Sequence, residues 1–157
     1  MALRETLKVR INLNDVHEII TQAHTDNSCR QEIYDLLFDE DETVSFQAAW
    51  ILSHFSTEDN KWLNDKQDRL IDKAISERHS GKRRIVLQIL YRQPLATPPR
   101  VDFLDYCLEK MMSKDELPGV QSLCIKLAYE MCRQIPELSN ELRSFLEIID
   151  PAMLTPA

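Results

Sequence analysis

The sequence predicts an all-α protein, a right-handed α-α superhelix of about four stacked helical hairpins. Three observations lead to this fold class. Apolar residues recur at helical spacing along most of the chain. The 157 residues include only two glycines, Gly81 and Gly119, which disfavours tight hairpins and phosphate-binding loops because both need positive φ. Apolar triplets also return at nearly constant offsets, which is typical of a repeat protein.

Eight helices are predicted in order. The first contains residues 16–23, whose apolar positions follow i, i+3, i+4, i+7 spacing. The second begins at a capping box, with Ser28 as N-cap and Gln31 reaching back to it. Thr97 as N-cap and Pro98 at the first helical position start the sixth. The remaining helices are expected over residues 43–55, 65–77, 82–93, 118–134 and 139–149, and the sixth ends near residue 113.

Apolar triplets lie at the same phase in alternate helices. The odd-numbered helices carry Ile19, Ile20, Ala23; Ala48, Ala49, Leu52; Val86, Leu87, Leu90; and Leu123, Cys124, Leu127. The even-numbered helices carry Ile33, Leu36, Leu37; Ile71, Ala74, Ile75; Leu104, Cys107, Leu108; and Leu142, Phe145, Leu146. A single hairpin cannot bury such faces alone, whereas stacked hairpins form a continuous core. We therefore expect one domain over residues 1–157, with repeats at roughly 12–39, 43–78, 82–113 and 118–149. The alternative is an irregular helical bundle.

Composition limits the classes of function. The net charge of −7 argues against general nucleic-acid binding, which needs a basic surface. The four cysteines form no CxxC pair, so we expect free thiols, packed as small hydrophobes in a reducing compartment. The charged start at residues 1–5 does not resemble a secretory signal, and no apolar run has the length of a membrane span. A cytoplasmic protein is therefore predicted.

Candidate catalytic and metal-binding residues are few. The histidines are His17, His24, His54 and His79, and no carboxylate or cysteine completes a metal set at ligand spacing. The acidic run at residues 39–42 could bind a cation, but we favour its placement at the positive end of the third helix. No Gly-x-Ser-x-Gly motif occurs. We expect no catalytic residue, no cofactor and no metal.

A basic stripe is the most informative feature of the sequence. Residues 78–101 contain no Asp or Glu. Their six cations, called the basic stripe below, are Arg78, Lys82, Arg83, Arg84, Arg92 and Arg100. Cations at a helix start are disfavoured by the helix dipole, so something must offset them. One explanation is an internal ion ladder, in which Asp41–Glu42 and Asp115–Glu116 of neighbouring repeats face the stripe. The other is an anionic partner that docks on it.

Trp62 lies in a less regular stretch and has two interpretations. Tryptophan is enriched among the residues that dominate binding energies, so Trp62 could anchor a partner. The alternative is that its ring packs over the end of a hairpin. Trp50, beside Ala49 on the third helix, is expected in the core.

The segment Val-Ser-Phe-Gln-Ala-Ala-Trp-Ile-Leu at residues 44–52 resembles the first helix of a HEAT repeat. Small bacterial HEAT-like proteins carry Arg-Ala-Ala-Trp there, and Gln47 replaces that Arg, so a buried Arg contact is expected to be missing. Residues 82–90 are similar to the next repeat, and residues 135–142 resemble the last hairpin. The resemblance covers roughly residues 12–149.

This resemblance implies a non-enzymatic scaffold or adaptor that binds another protein. The lack of a long apolar run separately predicts no membrane partner. Small proteins of this type are sometimes labelled adenylosuccinate lyase, but lyases of that family are longer and have a Gly- and Ser-rich mobile loop that this chain lacks. The alternative is a nucleic-acid or phosphate binder that uses the basic stripe. HEAT-like DNA glycosylases bind DNA in this way, but they are longer and strongly basic.

Overall fold

The structure, a computed structural model, describes residues 2–148. The chain divides into two compact units, residues 1–65 and residues 66–157, and each is described by itself. Helices account for all the regular structure between residues 2 and 148, and that part of the chain contains no strand. The predicted all-α class is therefore confirmed.

The first unit contains five α-helices and most of a 3₁₀ helix. They are α1 (Ala2–Leu7), α2 (Leu13–Thr25), α3 (Asn27–Leu36), α4 (Glu42–Ser53), α5 (Thr57–Asn60) and the 3₁₀ helix Lys61–Lys66. The two short helices α1 and α5 were not predicted, because a helix of one or two turns is too short to show apolar periodicity.

The second unit contains five longer helices. They are α6 (Gln67–Ser76), α7 (Ser80–Tyr91), α8 (Val101–Met111), α9 (Pro118–Cys132) and α10 (Pro136–Ile148). Helix α9 is central, since it packs against α7, α8 and α10. The predicted end of the last helix at residue 149 lies outside the described residues. The division into four repeats stays a prediction.

Three predicted helix starts are wrong, and the last of them is that of α10, which begins at Pro136 instead of residue 139. Asp26, not Ser28, caps α3, and its Oδ1 accepts hydrogen bonds from the backbone N–H groups of Ser28 at 2.9 Å and Cys29 at 3.2 Å. Helix α8 begins at Val101 instead of after Thr97, whose peptide bond to Pro98 is cis. For α3 several neighbouring residues carry an acceptable capping group, whereas the N-cap residue of α8, Arg100, makes no capping hydrogen bond with its side chain.

The predicted apolar triplets form much of the core. All three members in α4 and all three in α7 are fully buried, including Leu87. The prediction is wrong at Leu146, which is 42% exposed near the end of α10. Ile19 and Ile20 are only half-buried. The four cysteines are free and buried, which agrees with their predicted role as small hydrophobes.

Gln47 holds the segment that joins α1 to α2. Its side chain is buried on α4, and its Nε2 donates to the carbonyl oxygens of Leu7 and Val9, both at 2.8 Å. Its Oε1 accepts from the backbone N–H of Ile11 at 2.8 Å. Gln47 therefore satisfies three backbone groups at the end of α1 and in the segment that follows it. A second contact of α1 is the ion pair between Arg4 and Asp39, in which the Arg4 Nε lies 2.8 Å from the carboxylate.

Replacing Leu87 by Ala should lower the free energy of unfolding by about 2–5 kcal/mol, because the residue is fully buried and its loss leaves a cavity. Urea denaturation would measure this loss. The matched control is Leu117→Ala, the same change at a side chain that is 51% exposed, and its cost should stay below about 1 kcal/mol. Equal costs at both positions would contradict the assigned helix phase.

Replacing Gln47 by Met keeps the side-chain volume but removes the partners of three backbone groups. We expect unfolding to become easier by about 1–3 kcal/mol, the cost of leaving buried polar groups unpaired. Hydrogen exchange should accelerate most at the amide of Ile11. The control is Gln88→Met on α7, where the side chain is half-buried, and normal protection at Ile11 in the Gln47 variant would refute the assigned role.

Candidate functional site

Lys82, the first cation of the stripe on α7, is neutralised inside the protein. Its side chain is only 1% exposed, and its Nζ lies 3.2 Å from the Oε1 of Glu77. The Nζ of Lys73 lies 3.0 Å from the same oxygen. Burial opposes ionisation of Glu77, but hydrogen bonds from the backbone N–H of His79 and from Lys73 outweigh it and hold the pKa of Glu77 below its usual range. Lys82 is therefore not available to a partner.

Arg83 is also bound internally. Its Nη1 forms an ion pair with Glu116, while its Nε and Nη2 donate to the backbone carbonyl of Glu77 at 3.0 and 2.8 Å. The hypothesis of an internal ion ladder predicted such a contact between the basic stripe and Asp115–Glu116. Lys110 approaches Glu116 at 3.7 Å from the other side. The part of the ladder that involves Asp41–Glu42 stays a prediction.

Arg100, the last cation of the stripe, lies among three carboxylates. Its guanidinium is 2.6 Å from Asp102, 2.8 Å from Asp72 and 3.6 Å from Asp68. Hydrogen bonds to Asp102 and then to Asp72 raise the pKa of Arg100 above its ordinary value. An anionic partner would have to compete with these carboxylates.

Three cations of the basic stripe are more accessible to a partner than the three described above. Arg78 and Arg84 are exposed, and within residues 2–148 neither side chain forms an ion pair. Arg92 is the half-buried C-cap residue of α7. Only Arg84 stands on the outer face of a helix, so it is the stripe residue best placed to meet a partner.

Helices α7 and α9 pack side by side and are joined by two side-chain contacts. A Cβ added to Gly119 would lie 2.9 Å from the Cδ of Arg84, so the Arg84 stem lies directly over this glycine. The Nζ of Lys126 lies 5.7 Å from the centre of the Tyr91 ring, a cation–π contact. The two contacts are seven residues apart on each helix. Helices α7 and α9 therefore run in the same direction.

The outer side of this pair combines cations with aromatic rings. Lys126 is exposed, Tyr91 is 37% exposed and Tyr129 is 57% exposed. The α7/α9 surface, as named here, consists of Arg84, Gln88, Tyr91, Ser122, Lys126 and Tyr129. The two helices contain a single acidic residue, Glu130, whose carboxylate is 3.0 Å from Arg133. The surface is therefore basic and aromatic in a chain whose net charge is −7.

An open cavity of about 390 Å³ lies at the end of the α7/α9 surface. Its walls are formed by Tyr91, Gln93, Pro94, Leu95, Gln134 and the ion pair of Glu130 with Arg133. The amide nitrogen of Gln93 is buried and has no hydrogen-bond partner in the part of the chain that the structure describes. Gln134 accepts a hydrogen bond from the Thr97 hydroxyl at 2.6 Å through its Oε1, which leaves its amide nitrogen for another acceptor. The cavity therefore offers some apolar wall, an internal ion pair and one accessible amide donor, that of Gln134.

Trp62 packs on α3. Its Nε1 donates to the Oδ1 of Asn27 at 2.7 Å, its ring meets Tyr34 edge to face at 6.0 Å, and the Arg30 guanidinium lies 5.9 Å from it. These contacts favour the packing interpretation, although the ring remains half-buried. Trp50 is half-buried too, against the expectation of a core position.

The histidines and the acidic run take part in local structure. His24 bonds to Asp59 at 2.8 Å, and His79 caps α7 by accepting from the Lys82 N–H. Asp41 is the N-cap residue of α4. The acidic run at residues 39–42 therefore lies at a helix start, as predicted. Within residues 2–148 no three His, Cys, Asp or Glu side chains are grouped as a metal site, and no helix there is long and apolar enough to cross a membrane.

Sequence reasoning missed Lys126, Tyr91 and Tyr129. Tyr91 falls inside the acid-free segment but is not a cation, and Lys126 lies outside it. A constant offset of 35 residues, from Arg84 to Gly119 and from Tyr91 to Lys126, was the available signal. That signal has meaning only once α7 and α9 are known to be neighbours.

The helices and this surface define an all-α protein with an exposed two-helix face. The model of the HEAT repeat domain family matches residues 3–157. The chain therefore belongs to the HEAT repeat domain family, as the resemblance implied. A comparison with curated proteins finds no match, and neither does a comparison with solved structures.

Single charge reversals should separate the internal cations of the stripe from the exposed ones. Arg83→Glu should cost about 3 kcal/mol of unfolding free energy, since it removes the nearer cation from the buried Glu116 carboxylate and places a second carboxylate against it. Arg84→Glu should change stability by less than about 0.5 kcal/mol, as is usual for an exposed position. Urea denaturation of both variants measures the difference. Similar losses would contradict the distinction drawn here.

Proposed function

We propose that this protein is a non-enzymatic interaction module that binds another protein, and that the α7/α9 surface is where the partner docks. One observation carries the proposal: two adjacent helices expose aromatic rings and cations together, beside an open cavity. Exposed tyrosine and arginine, as at Tyr91, Tyr129 and Arg84, are enriched in protein interfaces. Membership of the HEAT repeat domain family supports the same class of function.

The alternative of a nucleic-acid or phosphate binder using the basic stripe is less well supported. Binding of a nucleic acid draws most of its strength from cations that neutralise successive phosphates. Lys82, Arg83 and Arg100 already have carboxylate partners within the protein. Too few cations of the stripe remain exposed for a phosphate backbone to follow.

Affinity capture with matched variants tests the proposal. The bait is the full chain, and the lysate from its native cell is treated with nuclease so that nucleic acid cannot bridge proteins. The test variant is Arg84→Glu combined with Lys126→Glu, and the control is Arg143→Glu, a reversal at an exposed position on α10. We expect wild type and control to retain the same protein and the double variant to lose it.

Two results would contradict the proposal. The first is that no protein is enriched over an unrelated helical bait. The second is that every enriched protein survives the double reversal as well as the control. Far-UV circular dichroism of the three baits should give equal helical signals, so that loss of binding cannot be attributed to unfolding.

A further inference from the structure

We propose that the partner presents an acidic segment with one large apolar side chain, which lies along the α7/α9 surface and inserts that side chain into the cavity at its end. This inference rests on the proposed function and adds the chemistry of the partner. Nothing in it requires the partner to be modified or the protein to be catalytic.

Charge complementarity selects an acidic segment. Arg84 and Lys126 are exposed on adjacent helices, and the acidic side chain nearest to them in sequence on these helices, Glu130, is held by Arg133. Both cations contact the neighbouring helix, Arg84 with its stem over Gly119 and Lys126 with its ammonium over the Tyr91 ring. Cations that are already positioned lose less side-chain entropy when a carboxylate binds.

The cavity selects the apolar residue. Its volume of about 390 Å³ falls at the lower end of the range for ligand pockets. Pro94, Leu95 and the Tyr91 ring provide apolar contact. The amide nitrogen of Gln134 is a donor on the same wall, and a backbone carbonyl of a bound segment is an acceptor that it lacks. An anion without an apolar group would leave this cavity empty.

The dimensions fit a short segment. Helix α9 has 15 residues and is therefore about 22 Å long. The contacts at Arg84 and Tyr91 are separated by seven residues, or about 10 Å along the helix. An extended segment of about eight residues covers the whole length of α9. Such a segment could place carboxylates on Arg84 and Lys126 and still reach the cavity.

Synthetic peptides test the inference directly. Fluorescein-labelled peptides of about eight residues, the length that spans α9, are titrated with the full chain and followed by fluorescence anisotropy. The test set consists of Glu-rich peptides with one Leu or Trp at each successive position. The comparison probes are a Glu-only peptide, a Lys-rich peptide with the same apolar residue, and a single-stranded DNA of equal charge.

We expect at least one Glu-rich apolar peptide to bind, and the Glu-only peptide and the DNA to bind at least about tenfold more weakly. The Lys-rich peptide should not bind. Either Arg84→Glu or Lys126→Glu should weaken the best peptide about tenfold, whereas Arg143→Glu should not. Leu95→Glu, which places a carboxylate at the cavity, should weaken it too, and Val101→Glu, at a side chain that is 72% exposed, is its control.

Several outcomes would overturn the inference: no peptide in the set binds, the Glu-only peptide or the DNA binds as tightly as the best peptide, or the control variants lose as much affinity as the test variants. Failure here differs from failure of the proposed function. If affinity capture recovers a protein that depends on Arg84 and Lys126 while no acidic peptide binds, the docking surface is right and the partner chemistry is wrong. If capture recovers nothing, the proposed function itself fails.

Discussion

The carboxylate of Glu77 lies between the ammonium groups of Lys73 and Lys82, and this buried cluster allows α7 to begin with three cations. A helix start repels positive charge, so these residues would be a poor beginning for an isolated helix. Glu77 supplies the missing negative charge for Lys82 and a carbonyl acceptor for Arg83, and Glu116 supplies the second carboxylate. With those two cations turned inward, Arg84 is left to point outward over α9. The exposed basic surface thus depends on a buried and largely neutralised cluster.

The sequence predicted features that depend on residues close together in the chain better than contacts between residues that are far apart in it. The phase of the triplets was right in α4 and α7 because burial of a helix face repeats every few residues. The predicted start of α3 was wrong because several adjacent residues carry acceptable capping groups, and that of α8 was wrong because the helix begins after Arg100, which makes no side-chain cap. The stripe was found by counting charges, and Glu116 was anticipated as a partner of the ladder, but the carboxylates around Arg100 were not, since they come from two helices. Gln47 was recognised only as a departure from a pattern, because its three partners lie 36 to 40 residues away.

A basic surface on an acidic protein has an electrostatic consequence for association. At distances beyond a Debye length, about 8 Å in physiological salt, the net charge of −7 would repel an acidic partner weakly. At contact, the local cations would attract it. Binding of an acidic segment would therefore gain little from long-range steering and would depend on close fit at the surface and in the cavity. Moderate salt would screen the repulsion as well as the attraction, so the salt dependence should be shallower than for binding between proteins of opposite net charge.

The positions of the two tryptophans decide what optical spectroscopy can report. Trp50 and Trp62 both lie in residues 1–65, and Trp62 is fixed by Asn27 and the Tyr34 ring. Residues 66–148 contain tyrosines but no tryptophan. Indole emission, excited at the red edge where tyrosine does not absorb, therefore follows the first unit alone, whereas far-UV ellipticity follows helices in both. Comparing the two signals during denaturation would reveal whether the units melt as one cooperative body, without any engineered label.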